Sequence, residues 1–483
     1  MRRTVLLLAA AAAMAITPVA AQRLRTLNPQ DVAEAQRDHT ELVRELGGAE
    51  TGPRAAYVES IGRRVGAFSG LANPGQALHF TTLNSAVENA FSVPGGYVYV
   101  TRQLMDLMDD ESQLAFALGH EVGHVAANHA HIREQYAQRN PLGVFGQIIG
   151  AIFGPGVTDV LTARSRLDQL SFSREQEYEA DTLGMRYMVA AGYDPAGASG
   201  ILAALSRQSA IEARVQGRTN RQSPEWASTH PLSENRMQRA LATAQATGQF
   251  GHGIRNRDIF LSQLEGLYVD DDPAQGVIEG ATFTHPDLRI QFTVPQGYLM
   301  SNGSDAVTIS GSAGKAQFRG GQYNGTLDNA VLLAFRQLSG GQSNFPVPPP
   351  QHVTINGMRA AITTARVNTD SGLIDASVAA YQWDAQRVYY FVMLTPGGYG
   401  AQPFMPMINS LRRITPAEAA AIQPRIIHIE RVRPGDTIQS LSSRMAYRDF
   451  KVERFLSLNG LAANSVLAPG QKVKLVIYGT RRV

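Results

Sequence analysis

The stretch that most restricts how this chain can fold is Leu118-Gly-His-Glu-Val-Gly-His-Val125. In a helix, His120 and His124 stand four residues apart and project from one face, with Glu121 on the next ridge. Apolar residues at Leu114, Phe116, Ala117, Leu118, Val122, Val125 and Ala126 predict a buried helix running from Glu111 to Arg139. Imidazoles buried without partners are costly, so the two histidines call for a common partner. Two neutral imidazoles on one rigid element suit a borderline metal such as Zn²⁺, and a neighbouring glutamate can take a proton from water held there. The pattern points to metal-dependent hydrolysis and needs a third ligand from elsewhere in the chain.

The first 21 residues read as a cleaved export signal. Arg2 and Arg3 precede an apolar run from Val5 to Ile16, and Pro18-Val-Ala-Ala21 supplies small residues for cleavage after Ala21. Nothing later approaches the roughly 18 apolar residues of a spanning helix. There is no cysteine, so neither a lipid anchor on cysteine nor a disulfide is available, and the expected location is the periplasm. At 483 residues, with 44% hydrophobic and 18% charged residues, several globular domains are expected. Residues 425–483 hold 11 Lys and Arg against 4 Asp and Glu, a net of +7 within a chain total of +3. The basic character therefore sits at one end, which suits an anionic surface; export argues against nucleic acid as the partner.

Asn28-Pro-Gln-Asp opens a helical pattern that ends at Gly47-Gly48, and a second helix runs from Pro53 to Phe68. His79 to Leu83 and Tyr97 to Val100 alternate as strands, joined through Asn89-Ala-Phe-Ser-Val-Pro-Gly-Gly96. They predict a small sheet whose edge precedes the histidine helix, either a plain hairpin or a site where an extended peptide adds as a strand. The glycine-rich apolar segment 140–156 is open to three readings: a lid, a substrate-facing loop, or a peripheral membrane contact. In the helix predicted from Asp168 to Ala191, Glu177 and Asp181 share a face, so one can bind metal while the other orients a ligand histidine. Glu175 and Glu179 read as a solvated acidic face.

His-Glu-Val-Gly-His at 120–124, Ser173-Arg174-x-x-Glu177-x-x-Ala180-Asp181, and Ser228-Thr-His-Pro231 followed by Arg236 together resemble the zinc metallopeptidase family of the CAAX prenyl endopeptidase and HtpX. Among its soluble members the likeness is greatest to the periplasmic BepA-like proteases, and Asn89, Ala90 and Phe91 resemble the family's substrate-binding edge strand. The resemblance implies a gluzincin-type domain, mainly helical with a small sheet, holding one Zn²⁺ per chain through His120, His124 and Glu177. It implies Glu121 as general base, Asp181 and Arg236 behind the ligands, and His230 as a catalytic or gating histidine able to approach the zinc. Beyond Ala246 no tetratricopeptide pattern of the BepA type is visible, so the partners of those proteases do not carry over.

From Phe283, strand signals at Ile290 to Val294, Val353 to Ile355, Ala361 to Val367, Asp375 to Trp383 and Val388 to Leu394 join helical stretches at Leu327 to Leu338 and Phe404 to Arg412. They predict an α+β domain with a mostly antiparallel sheet, without a catalytic cluster, serving as a binding or spacer module. Val432-Arg-Pro-Gly-Asp-Thr, Leu458-Asn-Gly-Leu461 and Leu467-Ala-Pro-Gly-Gln-Lys-Val-Lys-Leu475 resemble a LysM domain, which implies a βααβ fold and binding to peptidoglycan. The expected organisation of this α+β chain is a signal peptide at 1–21, a metallopeptidase domain at 22–250, a linker at 251–282, an accessory domain at 283–415 and LysM at 426–478. The expected function is an exported zinc endopeptidase that degrades unfolded or misassembled envelope proteins and is held near peptidoglycan. A peptidoglycan hydrolase and a chaperone-like binding protein with little proteolysis are the alternatives.

Overall fold

The computed structural model describes residues 24–129, 172–215, 230, 234–322, 325–338, 346–369 and 372–481. The expected signal peptide at 1–21 and the apolar segment 140–156 lie outside the described residues. Among those described, no helix is long and apolar enough to cross a membrane.

Asn28 caps α1 (Pro29–Glu45) by accepting from the Gln30 N–H, and Pro29 occupies a first-turn position that needs no donor. Then come α2 (Pro53–Gly66), a one-turn α3 (Pro74–Ala77), β1 (His79–Leu83), β2 (Ala90–Val93), β3 (Tyr97–Thr101) and α4 (Arg102–Leu107). β3 pairs parallel with β1 and antiparallel with β2, which leaves β2 at the edge of a three-stranded sheet. The central helix α5 (Glu111–Ala126) starts at Asp110, whose carboxylate accepts from the N–H groups of Ser112 and Gln113 and pairs with Arg255. α5 stops at Ala126, well short of the expected Arg139. Asn128 takes a left-handed conformation (φ 59°) and turns the chain out of the helix. α6 (Arg174–Ala190), α7 (Ala196–Val215) and α8 (Glu234–Ala246) complete the helical layer.

The stretch 251–282, expected as a linker, is folded and divided between its neighbours: its first part packs into this layer, and its last part pairs with the strand that opens the next unit. It holds α9 (Arg257–Leu264), β4 (Tyr268–Val269) and β5 (Val277–Glu279), and buries Phe260, Leu261, Leu264 and Leu267. This apolar spacing stands beside the charged and glycine residues that made the segment read as a bridge.

The next unit runs through β6 (Thr282–His285), β7 (Ile290–Thr293), β8 (Leu299–Asn302), β9 (Ala306–Gly311), β10 (Gly314–Gln322), α10 (Leu327–Leu338), β11 (Gln351–Ile355), β12 (Met358–Thr369), β13 (Gly372–Gln382), β14 (Arg387–Pro396), α11 (Met405–Ser410) and β15 (Arg412–Arg413). Its seven-stranded sheet is antiparallel throughout, in the order β11-β12-β13-β14-β10-β9-β8. Alternation along β13 divides the core. Ala376, Val378 and Ala380 face α10, whereas Ala379 and Tyr381 face a second sheet, β15-β7-β6-β5. Strands β8 to β10 had no clear sequence signal, because glycines and serines interrupt their alternation.

After the short α12 (Pro416–Ala420), the chain ends in β16 (Arg425–Arg431), α13 (Ile438–Ser443), α14 (Lys451–Leu458) and β17 (Lys472–Tyr478), the expected βααβ order. β16 pairs with β17 on one side and with β4 on the other. The apolar residues of this module, among them Leu441, Phe455 and Leu475, belong to the same buried cluster as Leu107, Leu205 and Phe260.

Candidate metal centre

Glycine sets how closely α5 and α6 approach. A Cβ on Gly184 would lie 2.7 Å from the His120 backbone nitrogen, and one on Gly123 would lie 3.1 Å from the Ala180 carbonyl oxygen. Any side chain at Gly184 would push the helices apart. Their contact brings the acidic face of α6 against the histidine face of α5, and Ser173 and Gln176 fix the start of α6 in a reciprocal capping box.

The donor atoms converge tightly. Ligand atoms of His120, His124, Glu177 and His230 all lie within 4.8 Å of one another, and all four residues are buried. His120 Nε2 is 3.0 Å from His124 Nε2 and 3.2 Å from His230 Nδ1. Glu177 Oε1 is 2.9 Å from His230 Nδ1 and 3.4 Å from His124 Nε2. Three imidazoles and one carboxylate aimed at a common point form a donor set that fits tetrahedral Zn²⁺. Glu121 stands at the side of this cluster, its Oε1 3.3 Å from His230 Nε2 and its Oε2 accepting from the Ser92 hydroxyl at 3.1 Å.

Asp181 and Arg236 lie behind the donors. Asp181 Oδ1 is 2.9 Å from His120 Nδ1, and Asp181 also pairs with the Arg236 guanidinium at 2.7 and 2.8 Å. Arg236, fully buried, also reaches Glu177 Oε2 at 2.7 Å and the His230 carbonyl at 3.2 Å. Burial alone would raise the Asp181 carboxyl, but the Arg236 charge and hydrogen bonds outweigh it and hold it at about 2. Burial likewise opposes ionisation of Glu177, and the surrounding imidazoles bring it well below the usual carboxylate range. Glu121 goes the other way: burial raises it despite His230 and His120. Two carboxyls in one pocket are thus driven apart, the ionised one among the donors and the more basic one beside them.

The three edge-strand residues precede or begin β2. The side chains of Asn89, Ala90 and Phe91 are buried, and Phe91 stacks on Tyr99 at 4.8 Å, so the strand offers its backbone edge rather than side chains. A cavity of about 410 Å³ lies beside it, lined by Leu27, Ser92, Val93, His124 and Val125 among others.

Three contributors had no functional signal in the sequence. Ser92 holds Glu121, Phe172 stacks on the His124 ring at 3.8 Å, and His129 lies with its Nδ1 2.9 Å from His124 Nδ1. A helix continued past Ala126 would have carried His129, five residues on from His124, away from that face. Glu179, expected on a solvated face, lies 3.3 Å from His129 Nε2.

Residues 53–244 match the family described as Peptidase family M48, and residues 431–476 match the LysM domain. The fold and donor set therefore define a zinc metallopeptidase domain of the M48 type joined to a LysM domain. Over 191 residues, 38% of this chain, the sequence is 32% identical to the beta-barrel assembly-enhancing protease of Escherichia coli (strain K12), covering 37% of that protein. Over 187 residues it is 29% identical to the mitochondrial metalloendopeptidase OMA1 of Schizosaccharomyces pombe, covering 39% of this chain and 52% of the relative. The chain thus spans well under two thirds of either relative's length.

Proposed function

We propose that this chain is an exported zinc endopeptidase that cleaves unfolded or misassembled proteins of the cell envelope, with its LysM domain holding it near peptidoglycan. The observation that carries the reading is the buried convergence of His120, His124, Glu177 and His230 with Glu121 alongside. His120, His124 and Glu177 would hold the zinc. Bound there, Zn²⁺ supplies Lewis-acid chemistry, polarising a carbonyl and acidifying water to a pKa of about 7.

Glu121, made more basic by burial, accepts a proton at its carboxylate from the water that attacks the scissile carbonyl carbon. As the C–N bond breaks, the same carboxylic acid returns that proton to the leaving amine. Ser92 keeps the Glu121 carboxylate turned toward the cluster. The backbone edge of β2, which has no further strand beside it among the described residues, takes an extended segment as an added strand, a mode that reads main chain and so suits unfolded substrates of varied sequence. His230 lies among the donors and either completes the ligand set or stabilises charge during the reaction. Similarity to the beta-barrel assembly-enhancing protease supports an envelope substrate, and the LysM match supports a location at the wall.

Glu121→Gln tests the mechanism. It should keep stoichiometric zinc while lowering cleavage of unfolded casein by about 100-fold to 10,000-fold. Undiminished proteolysis would refute Glu121 as the base, and muropeptide release from purified sacculi by the parent chain would move the substrate from protein to wall.

A further inference from the structure

A metal-binding imidazole is held in place by what its second ring nitrogen donates to, usually a carboxylate, a carbonyl or water. His120 follows that rule through Asp181. His124 departs from it: its Nδ1 lies 2.9 Å from Nδ1 of another histidine, His129. Two ring nitrogens at that distance share one hydrogen, so one must donate and the other accept.

The geometry assigns the direction. His124 turns Nε2 to the donor cluster, 3.0 Å from His120 Nε2. A metal held there needs the Nε2 lone pair, which leaves the proton of the neutral ring on Nδ1. His129 must then accept at Nδ1 and carry its own proton on Nε2, which points at Glu179 Oε2 at 3.3 Å. Each group in the series His124, His129, Glu179 thus has the role its neighbour requires. His129 is 1% exposed, its carbonyl accepts from the Gln176 side chain at 3.4 Å, and the left-handed turn at Asn128 aims its ring back at the end of α5.

We propose that His129 is a positioning residue for the metal centre: by accepting from His124 Nδ1 and donating to Glu179, it fixes the tautomer and orientation of His124. The inference rests on the reading of His124 as a zinc ligand. It adds a residue outside the ligand set and ties the centre to a carboxylate on the exposed flank of α6. The two ligand histidines are then anchored differently, one by a carboxylate neutralised by Arg236, the other by a neutral ring.

Zinc affinity of the full chain, measured by competition with a chromophoric chelator, separates this role from packing. His129→Phe preserves the ring's volume and removes the acceptor, whereas His129→Gln loses the ring and restores an acceptor oxygen. The expected result is a loss of about 10-fold to 100-fold in zinc affinity for His129→Phe and recovery of most of it in His129→Gln. Parent-like affinity in His129→Phe, or equal weakness in both variants while the parent binds one zinc, would overturn the proposal and leave the metal-centre reading standing. A parent chain that takes up no zinc would overturn both. Circular dichroism of each variant checks that the fold is kept.

Discussion

Arg236 pairs with both carboxylates behind the centre, the buried Glu177 and the largely buried Asp181. Removing one partner of such a group strands the others as uncompensated charge. Arg236→Met should therefore cost about 3–5 kcal/mol in urea unfolding, more than a surface arginine at the same distance from the site. A second test at this scale concerns His285 in β6. Its Nδ1 accepts from the Leu288 N–H at 3.3 Å, and burial holds its pKa down at about 4 against an ordinary 6.5. Between those values the unfolded chain binds a proton that the folded chain refuses, so the stability contributed by the neutral ring is present above pH 6.5 and is lost as pH falls toward 4. His285→Asn keeps an acceptor and removes the titration. Its urea midpoint should fall less than the parent's between neutral pH and about pH 4.5, by the equivalent of about 1–3 kcal/mol.

Glycines act here through the elements they let meet. Gly119, Gly123 and Gly184 form the seam along which α5 and α6 touch, and that seam sets the distance from Glu177 and Asp181 to the histidines. Gly184→Ala would place a methyl group 2.7 Å from the His120 backbone nitrogen, so the helices must separate. The expected cost is about 1–3 kcal/mol, together with weaker zinc binding as the donors move apart. Gly75→Ala is the control. Its Cβ would meet nothing within 4 Å, and both stability and zinc affinity should stay at the parent level. A parent-like zinc affinity for Gly184→Ala would show that the seam does not govern donor spacing.

Across the whole molecule, the C-terminal module is fixed to the peptidase domain rather than strung from it. Lys474 in β17 is fully buried, and its ammonium donates to the carbonyls of Asp106 and Met108 at the end of α4, at 2.9 and 2.6 Å, with Asp109 Oδ1 at 3.3 Å. A cation capping a helix C-terminus is favoured by the helix dipole, and burial makes this one hard to replace. β4 adds a backbone pairing to β16, and the apolar core runs continuously through the contact. Lys474→Met should lower stability by about 3 kcal/mol, and truncation before Arg425 should lower the calorimetric transition of the peptidase domain as well as removing LysM. A peptidase transition unchanged by truncation would indicate a module that merely rests on its neighbour. This docking fixes the orientation of the C-terminal module relative to the peptidase domain.

The chemistry of the centre was legible because it depends on residue type at fixed spacing. His120, His124 and Glu121 follow from helical periodicity, and Glu177 with Asp181 from the same rule on a second helix. The antiparallel sheet and helix α10 were equally readable, since alternation and capping are local, whereas the βααβ order came from the resemblance to LysM. Other features depend on where the chain stops obeying a local rule or on what it meets far away. His129 comes to His124 only because Asn128 ends α5 early, and Glu179 counts only because His129 arrives. Strands β8 to β10 lacked a pattern and join the sheet in series, β10 on β14, β9 on β10 and β8 on β9. The segment 251–282 carried turn residues that masked its buried face, and Lys474 looked like one more basic residue at a basic terminus. The sequence by itself determined which donors the centre could use. Tertiary contact decided how they are anchored and that the C-terminal module shares the core of the peptidase domain, because burial and long-range hydrogen bonding assign roles that no local spacing encodes.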